Sequence, residues 1–279
     1  MSNQVKTGNG LVDYHVHTKR CGHATGDMQD YVRQGMAVGL KEMGFSDHYP
    51  MDSLGFNEAD MSSMWEAEFP LYLQDVASMQ ELYGSQLTIR LGIEMDYVRG
   101  QEDLVQAIVQ NHDFDYVIGS IHFLSGWDIS HPKNAYKYET FSLTDLYNEY
   151  FDEVQHLVQS GQFDIVGHID ILKKLGYTLP DRAGLEVYDE MARLLSDRNQ
   201  VVEINTGGLR APVKECYPSP AFLDRLIAHQ VPLTLGSDAH SPEEVGFCFS
   251  EIREKLLALG VKTLAAFSKR KPFEIPLEN

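Results

Sequence analysis

Asp13-Tyr14-His15-Val16-His17-Thr18, followed after a short loop by Cys21-Gly22-His23, is the stretch on which the reading of this chain turns. Alternate side chains of an extended strand share a face, so His15 and His17 project the same way. Two imidazoles so placed can hold one metal ion. The run over residues 11–17 is apolar and β-branched, with polar residues only towards its C-terminal end, which is where α/β barrels place their chemistry.

Outward from this strand the chain alternates short β-like and longer helix-like runs. Residues 27–42 carry apolar side chains at helical spacing after a capping residue, Asp27, and lead to a second strand over 43–48 that ends in His48. Residues 50–61 are polar and punctuated by Gly and Pro, and read as an active-site loop. Helices over 64–83, 102–111, 143–159, 182–197 and 220–229 alternate with strands over 87–97, 115–123, 164–171, 201–206 and 232–240. Residues 127–138 form an aromatic loop. This makes seven β/α units, and right-handed parallel crossovers either close such a series into a barrel or wind it as an open sheet. Without linker, repeat or low-complexity segment, residues 1–279 parse as one domain. The tail over 260–279 contains Lys269-Arg270-Lys271-Pro272, read as a solvated surface turn.

Composition excludes several classes. With 41 Asp and Glu against 23 Lys and Arg, the formal charge is −18, so the mean field repels phosphate backbones and anionic membranes. Nucleic acid and membrane are therefore disfavoured as partners. Residues 1–10 lack the apolar region of a signal peptide, and the chain reads as cytoplasmic. Cys21, Cys216 and Cys248 are too few and scattered for a disulfide framework or a cysteine zinc site, and Cys21 reads as a small thiol rather than a ligand.

The residue types that bind metals fall at one place in each unit. His15, His17, His48, Glu94, His122, His168, Asp238 and His240 lie at or near the C-terminal ends of the expected strands, and His23 on the loop after the first. Each alone has a bland explanation, such as a satisfied core histidine or a helix cap; their joint placement does not. His112, His131, His156 and His229 lie on helices or loops without such company and read as structural.

These segments, with Gly44-Phe45-Ser46-Asp47-His48, Gly92-Ile93-Glu94-Met95-Asp96-Tyr97, residues 115–122, Gly167-His168-Ile169-Asp170, residues 203–210 and Gly236-Ser237-Asp238-Ala239-His240, resemble the polymerase and histidinol phosphatase (PHP) superfamily over nearly the whole chain. Gly126-Trp127, His131-Pro132 and the run Asn205-Thr206-Gly207-Gly208-Leu209-Arg210 are similar to its histidinol-phosphate phosphatase branch. The resemblance implies an α/β fold, a distorted (β/α)7 TIM-like barrel, with three divalent metal ions at its mouth. By motif order His15, His17, Glu94 and Asp238 would hold the first ion. Glu94 would bridge to a second completed by His122 and His168, and His23, His48 and His240 would hold the third. Nitrogen and carboxylate ligands suit zinc, manganese or iron alike. Close cations would generate a hydroxide nucleophile near neutral pH, with Glu94 bridging and Asp238 able to relay its proton.

The implied activity is hydrolysis of L-histidinol phosphate to L-histidinol and phosphate. The alternatives are a PHP phosphoesterase of another small phosphorylated metabolite or nucleotide, and a metal-stabilised module without turnover. A phosphomonoester dianion calls for a fixed cation. Arg210 offers a planar fork, against the alternative of a surface ion pair, and Lys173 and Lys174 are further candidates that could equally be solvated.

Overall fold

The computed structural model describes residues 11–54, 63–179 and 181–277, with side chains throughout these spans except at 181–183. Residues 1–10 and most of the expected loop over 50–61 lie outside them. In chain order the elements are β1 (Val12–Asp13), α1 (Met28–Ala37), β2 (Glu42–Phe45), α2 (Phe69–Tyr83), β3 (Thr88–Asp96), α3 (Glu102–Gln110), β4 (Tyr116–Ser120), β5 (Phe123–Leu124), β6 (Trp127–Asp128), α4 (Leu143–Ser160), β7 (Ile165–Val166), α5 (Asp181–Asp197), β8 (Val201–Asn205), α6 (Pro220–Ala228), β9 (Leu233–Gly236), α7 (Phe249–Ala258), β10 (Thr263–Ser268) and β11 (Lys271–Pro276). Seven strands form one sheet in the order β1-β2-β3-β4-β7-β8-β9. Its end strands are linked in turn: Tyr14 N donates to Leu235 O at 3.0 Å, and Val16 bridges Ala239 in parallel. A parallel sheet in chain order whose last strand returns to its first is the α/β barrel that the sevenfold alternation predicts.

Contacts divide the chain into two compact units, Met1–Glu94 with Asp113–Val117 and Thr234–Asn279, and Met95–His112 with Ile118–Leu233. In the first, β1, β2 and β3 pair in parallel. The extended run expected over 11–17 is a ladder strand only at Val12 and Asp13. Beyond them the backbone bonds alternately to both neighbours, with Ser46 N donating to Val16 O at 2.9 Å and His17 N to Ala239 O at 3.0 Å, so His15 and His17 stay fixed without a regular ladder. The first helix stops at Ala37 rather than running to residue 42, because Gly39 turns into the left-handed region (φ +79°) and Glu42 already belongs to β2.

Tyr116 fills the base of this unit. It is fully buried, its Oη donates to Tyr14 O at 2.7 Å, and its ring lies tilted with its centre 4.7 Å from that of Tyr14. Gly44 and Gly92 make the space: a Cβ would come within 2.1 Å of Tyr116 Oη at the first and 2.2 Å of its Cζ at the second. The tail carries the expected basic turn at the surface, with Lys269, Lys271 and Pro272 exposed. Lys269 and Arg270 form the turn, both with positive φ, between the paired strands β10 and β11. Phe267 and Ile275 of that hairpin are buried, and Lys269 N and Arg270 N donate to Asp115 Oδ1 (3.0 Å) and Asp115 O (2.8 Å).

In the second unit β4, β7 and β8 pair in parallel. Helix α4 starts at Ser142, whose hydroxyl accepts from Asp145 N at 3.4 Å, and ends where Gly161 takes φ +65°. Its apolar stripe, from Leu146 to Val158, is buried. Within the expected aromatic loop, β5 and β6 make a small antiparallel pair and residues Pro132–Thr140 wind as a 3-10 helix.

Candidate metal centre

The first unit gathers seven of the expected ligands. His15 and His17 are completely buried, and their Nε2 atoms lie 3.1 and 3.6 Å from Glu94 Oε2; His17 Nε2 is also 3.1 Å from Asp238 Oδ1. His48 Nδ1 reaches the same Glu94 oxygen at 3.1 Å. Ligand atoms of His15, His17 and Glu94 lie within 4.8 Å of one another, as do those of His23, His48 and His240. The rings of His48 and His240 stack at 4.5 and 4.2 Å on that of His17, and His23 is 4.4 Å from His240.

Hydrogen bonding fixes which ring nitrogens point inward. His23 Nδ1 meets Cys21 O at 3.1 Å, and His240 Nδ1 meets Asp238 O at 2.9 Å. A carbonyl only accepts, so each Nδ1 carries the proton and each Nε2 keeps its lone pair. His240 Nε2 is buried without a hydrogen-bond partner, as an imidazole is when its lone pair is reserved for a cation. Charge agrees. Burial would raise the Asp238 carboxyl, but His15, His17 and His240 hold it well below the usual carboxylate range, while burial and the charge of His17 push His240 well below the usual imidazole range. Both are in the protonation states a metal requires. Asp238 also sits in the left-handed backbone region at φ +54°, which re-aims its side chain at the strand end.

Behind the ligands stand carboxylates that the strand-end pattern did not single out. Asp47 is fully buried, lies 3.5 Å from His17 Nδ1, and accepts from Thr18 Oγ1, Thr18 N (3.2 Å) and His48 N (3.0 Å). Asp13 accepts from Ser237 N at 2.9 Å and Gly246 N at 3.0 Å, tying β1 to the loop that carries Asp238. Glu244 accepts from His240 N at 2.8 Å. Asp47 directly precedes His48 and Asp13 stands two residues before His15, and that proximity in sequence is the available signal.

The second unit gathers His122 and His168, whose rings are 4.9 Å apart, edge to face. Asp96 accepts from His122 N at 2.9 Å and approaches its Nδ1 at 3.1 and 3.2 Å, again directing Nε2 away from the carboxylate. His168 N donates to Glu203 Oε2 at 2.8 Å.

Of the expected phosphate-binding residues, Arg210 closes the 3-10 turn Gly207–Leu209 and is half-buried, as is Lys174. Lys173 is engaged within the protein. Its Nζ contacts Asp170 Oδ2 (3.2 Å), Glu215 Oε2 (3.3 Å) and Cys216 O (2.7 Å) and sits 5.4 Å from the centre of the Tyr217 ring, so three acceptors occupy the three N–H groups of a buried ammonium. It holds two loops together. Gly208 likewise serves packing: a Cβ there would meet Glu215 O at 2.0 Å. His131, His156 and His229 have local partners, Lys133 N, Asp152 and Asp189. Cys21 Sγ donates to Thr18 O at 3.1 Å, and burial pushes its thiol up, so it stays protonated.

A (β/α)7 sheet whose strand ends carry inward-facing imidazoles and carboxylates is the architecture of metal-binding barrel proteins. The chain belongs to the PHP domain family, whose model matches residues 13–207. It is 36% identical to a Deinococcus radiodurans protein described as a probable histidinol-phosphatase, over 94% of this chain and 98% of that one. It is 25% identical to the Bacillus subtilis histidinol-phosphatase, over 87% of this chain and 98% of the relative. Its fold matches the crystal structure of Lactococcus lactis histidinol phosphate phosphatase, described as complexed with zinc, L-histidinol and phosphate, at TM-score 0.80 and 22% identity, covering 95% of this chain and 99% of that one.

Proposed function

We propose that this protein is a metal-dependent phosphomonoesterase that hydrolyses L-histidinol phosphate to L-histidinol and phosphate in histidine biosynthesis. The observation that carries the reading is the convergence of His15, His17, His48 and Asp238 around or beside Glu94 within a few ångströms, in a chain 36% identical to a relative described as a probable histidinol-phosphatase. His15, His17, His23, His48, Glu94, His122, His168, Asp238 and His240 would hold three divalent cations, with zinc the one named with the Lactococcus structure. Bound there, the cations supply Lewis acidity that makes water a nucleophile near neutral pH and neutralises phosphoryl oxygens.

The chain's own groups do the rest. Asp238, ionised at neutral pH, accepts the proton of the attacking water at Oδ1 or Oδ2. Arg210 and Lys174 provide cationic groups for the phosphoryl oxygens, which a chain of net charge −18 needs in order to collect a dianion. As water adds to phosphorus, the ester P–O bond breaks and the alcohol oxygen leaves with a proton.

The test is phosphate release by metal-reconstituted protein from L-histidinol phosphate, set against sugar phosphates and mononucleotides at equal concentration. A kcat/KM at least a hundredfold higher for L-histidinol phosphate is expected. Preference for another ester moves the protein to a different PHP phosphoesterase activity.

A further inference from the structure

His23 differs from the other histidines of its group in lying on an exposed loop, a single 3-10 turn (Lys19–Cys21) closed by Gly22 at φ +81°. Cys21 and Ala24 on either side of His23 are buried and Thr25 N donates to His240 O at 2.8 Å, which holds the C-terminal side of the loop; what grips the turn on its N-terminal side sets the rest of its position. Two cationic side chains leave this turn. Lys19 meets Asp27 at 2.7 Å with both side chains exposed, a pair that contributes little to order. Arg20 is different. Its side chain is only 16% exposed, and its Nε and one terminal nitrogen both donate to Asp75 Oδ2, at 3.1 and 2.6 Å, while the other terminal nitrogen lies 3.7 Å from Glu68 Oε1. Asp75 is on α2, and Glu68 immediately precedes that helix. Arg20 N also donates to Thr18 Oγ1, the hydroxyl bonded to Asp47.

We infer that Arg20, clamped by Asp75, is a positioning residue for His23: it fastens the turn to α2, a helix that carries no ligand, and so holds the most exposed imidazole of the His23, His48 and His240 group in register with the other two. Planar guanidinium geometry fixes direction as well as distance, which an ammonium would not. This rests on the assignment of that group as the third cation site. Loss of the clamp removes one ion and leaves the others, because the segments that carry His15, His17, Glu94 and Asp238 are held by backbone bonds in which the Arg20 side chain takes no part, His17 N to Ala239 O, Glu94 N to Asp47 O and Ala239 N to His15 O.

The experiment strips the full-length protein with chelator, titrates Zn2+ against a chromophoric competitor, and counts ions per chain after desalting. Wild type is expected to retain three. Arg20→Ala and Asp75→Asn are each expected to retain two, with the weakest-bound ion loosened roughly 10- to 100-fold, as for loss of other groups that orient metal ligands. Arg20→Ala with Asp75→Asn combined is expected to loosen it no further, since both remove one contact. Arg20→Lys restores little and Lys19→Ala leaves binding unchanged. Three tightly held ions in Arg20→Ala overturn the inference, as does equal loosening by Lys19→Ala or loss of every ion with a collapsed melting temperature. Fewer than three ions in wild type overturn the trinuclear assignment and the inference with it.

Discussion

At the scale of single residues, Arg210 and Lys173 differ in their surroundings, Arg210 half-buried at the end of a 3-10 turn and Lys173 buried among Asp170, Glu215 and Cys216. Arg210→Ala is expected to lower kcat/KM for the phosphate ester about a hundredfold, roughly 2.7 kcal/mol of lost transition-state stabilisation, with melting temperature and metal content unchanged. Lys173→Ala strands the buried Asp170 carboxylate, whose pKa burial already raises despite its partner, and is expected to destabilise the fold by about 3 kcal/mol, read as a lower denaturant midpoint. His17 sets a pH dependence. Burial lowers its pKa, but the bonds to Asp238 and Asp47 outweigh it and raise the ring to about 9. A folded-state pKa raised above the usual value stabilises the metal-free protein below about pH 6.5, and this is lost as pH rises towards 9. A cation must displace that proton, so zinc affinity measured by competition should rise about tenfold per pH unit between pH 7 and 8. Affinity that is flat over this interval would show that His17 is not a ligand.

Among the elements, β3 and the terminal hairpin pack against the same buried pair of rings, Tyr116 and Tyr14. Gly92 lies in β3 against the buried Tyr116 ring, leaving no room for a methyl group. Gly92→Ala is expected to cost about 3 kcal/mol by overpacking, visible as a lower melting temperature, with the ion count per folded chain unchanged. Phe267 on β10 is buried beside Tyr14, which accepts from Phe267 N at 3.2 Å; Phe267→Ala should cost about 3 to 4 kcal/mol in the same assay. The hairpin was illegible in sequence because its turn, Lys269-Arg270, lacks the Gly or Asn that normally marks positive φ. At helix α1 apolar residues continue at helical spacing past Gly39 into the following strand, so the periodicity does not mark the helix end at Ala37.

For the molecule as a whole, removal of metal should abolish phosphate release and lower the melting temperature, because cations that bind only the folded chain stabilise it by mass action. Restoring zinc should return both, and a stripped protein that keeps its melting temperature would place the cations outside the ligand group buried around His17. No described helix is long and apolar enough to cross a membrane.

The seven β/α units and the residue types at their strand ends are legible in the amino-acid sequence, since both follow from local pattern: period along the chain and position within each unit. The same sequence carries the family. Which lone pairs face inward depends on the folded arrangement, through carbonyls and carboxylates such as Cys21 O, Asp238 O and Asp96 that set each tautomer. The fold alone shows that Lys173 is consumed by Asp170, Glu215 and Cys216, and that Arg20 reaches Asp75 on a helix 55 residues away in sequence. Such pairings depend on which side chains the fold brings within hydrogen-bonding distance, and one-dimensional spacing does not encode that distance.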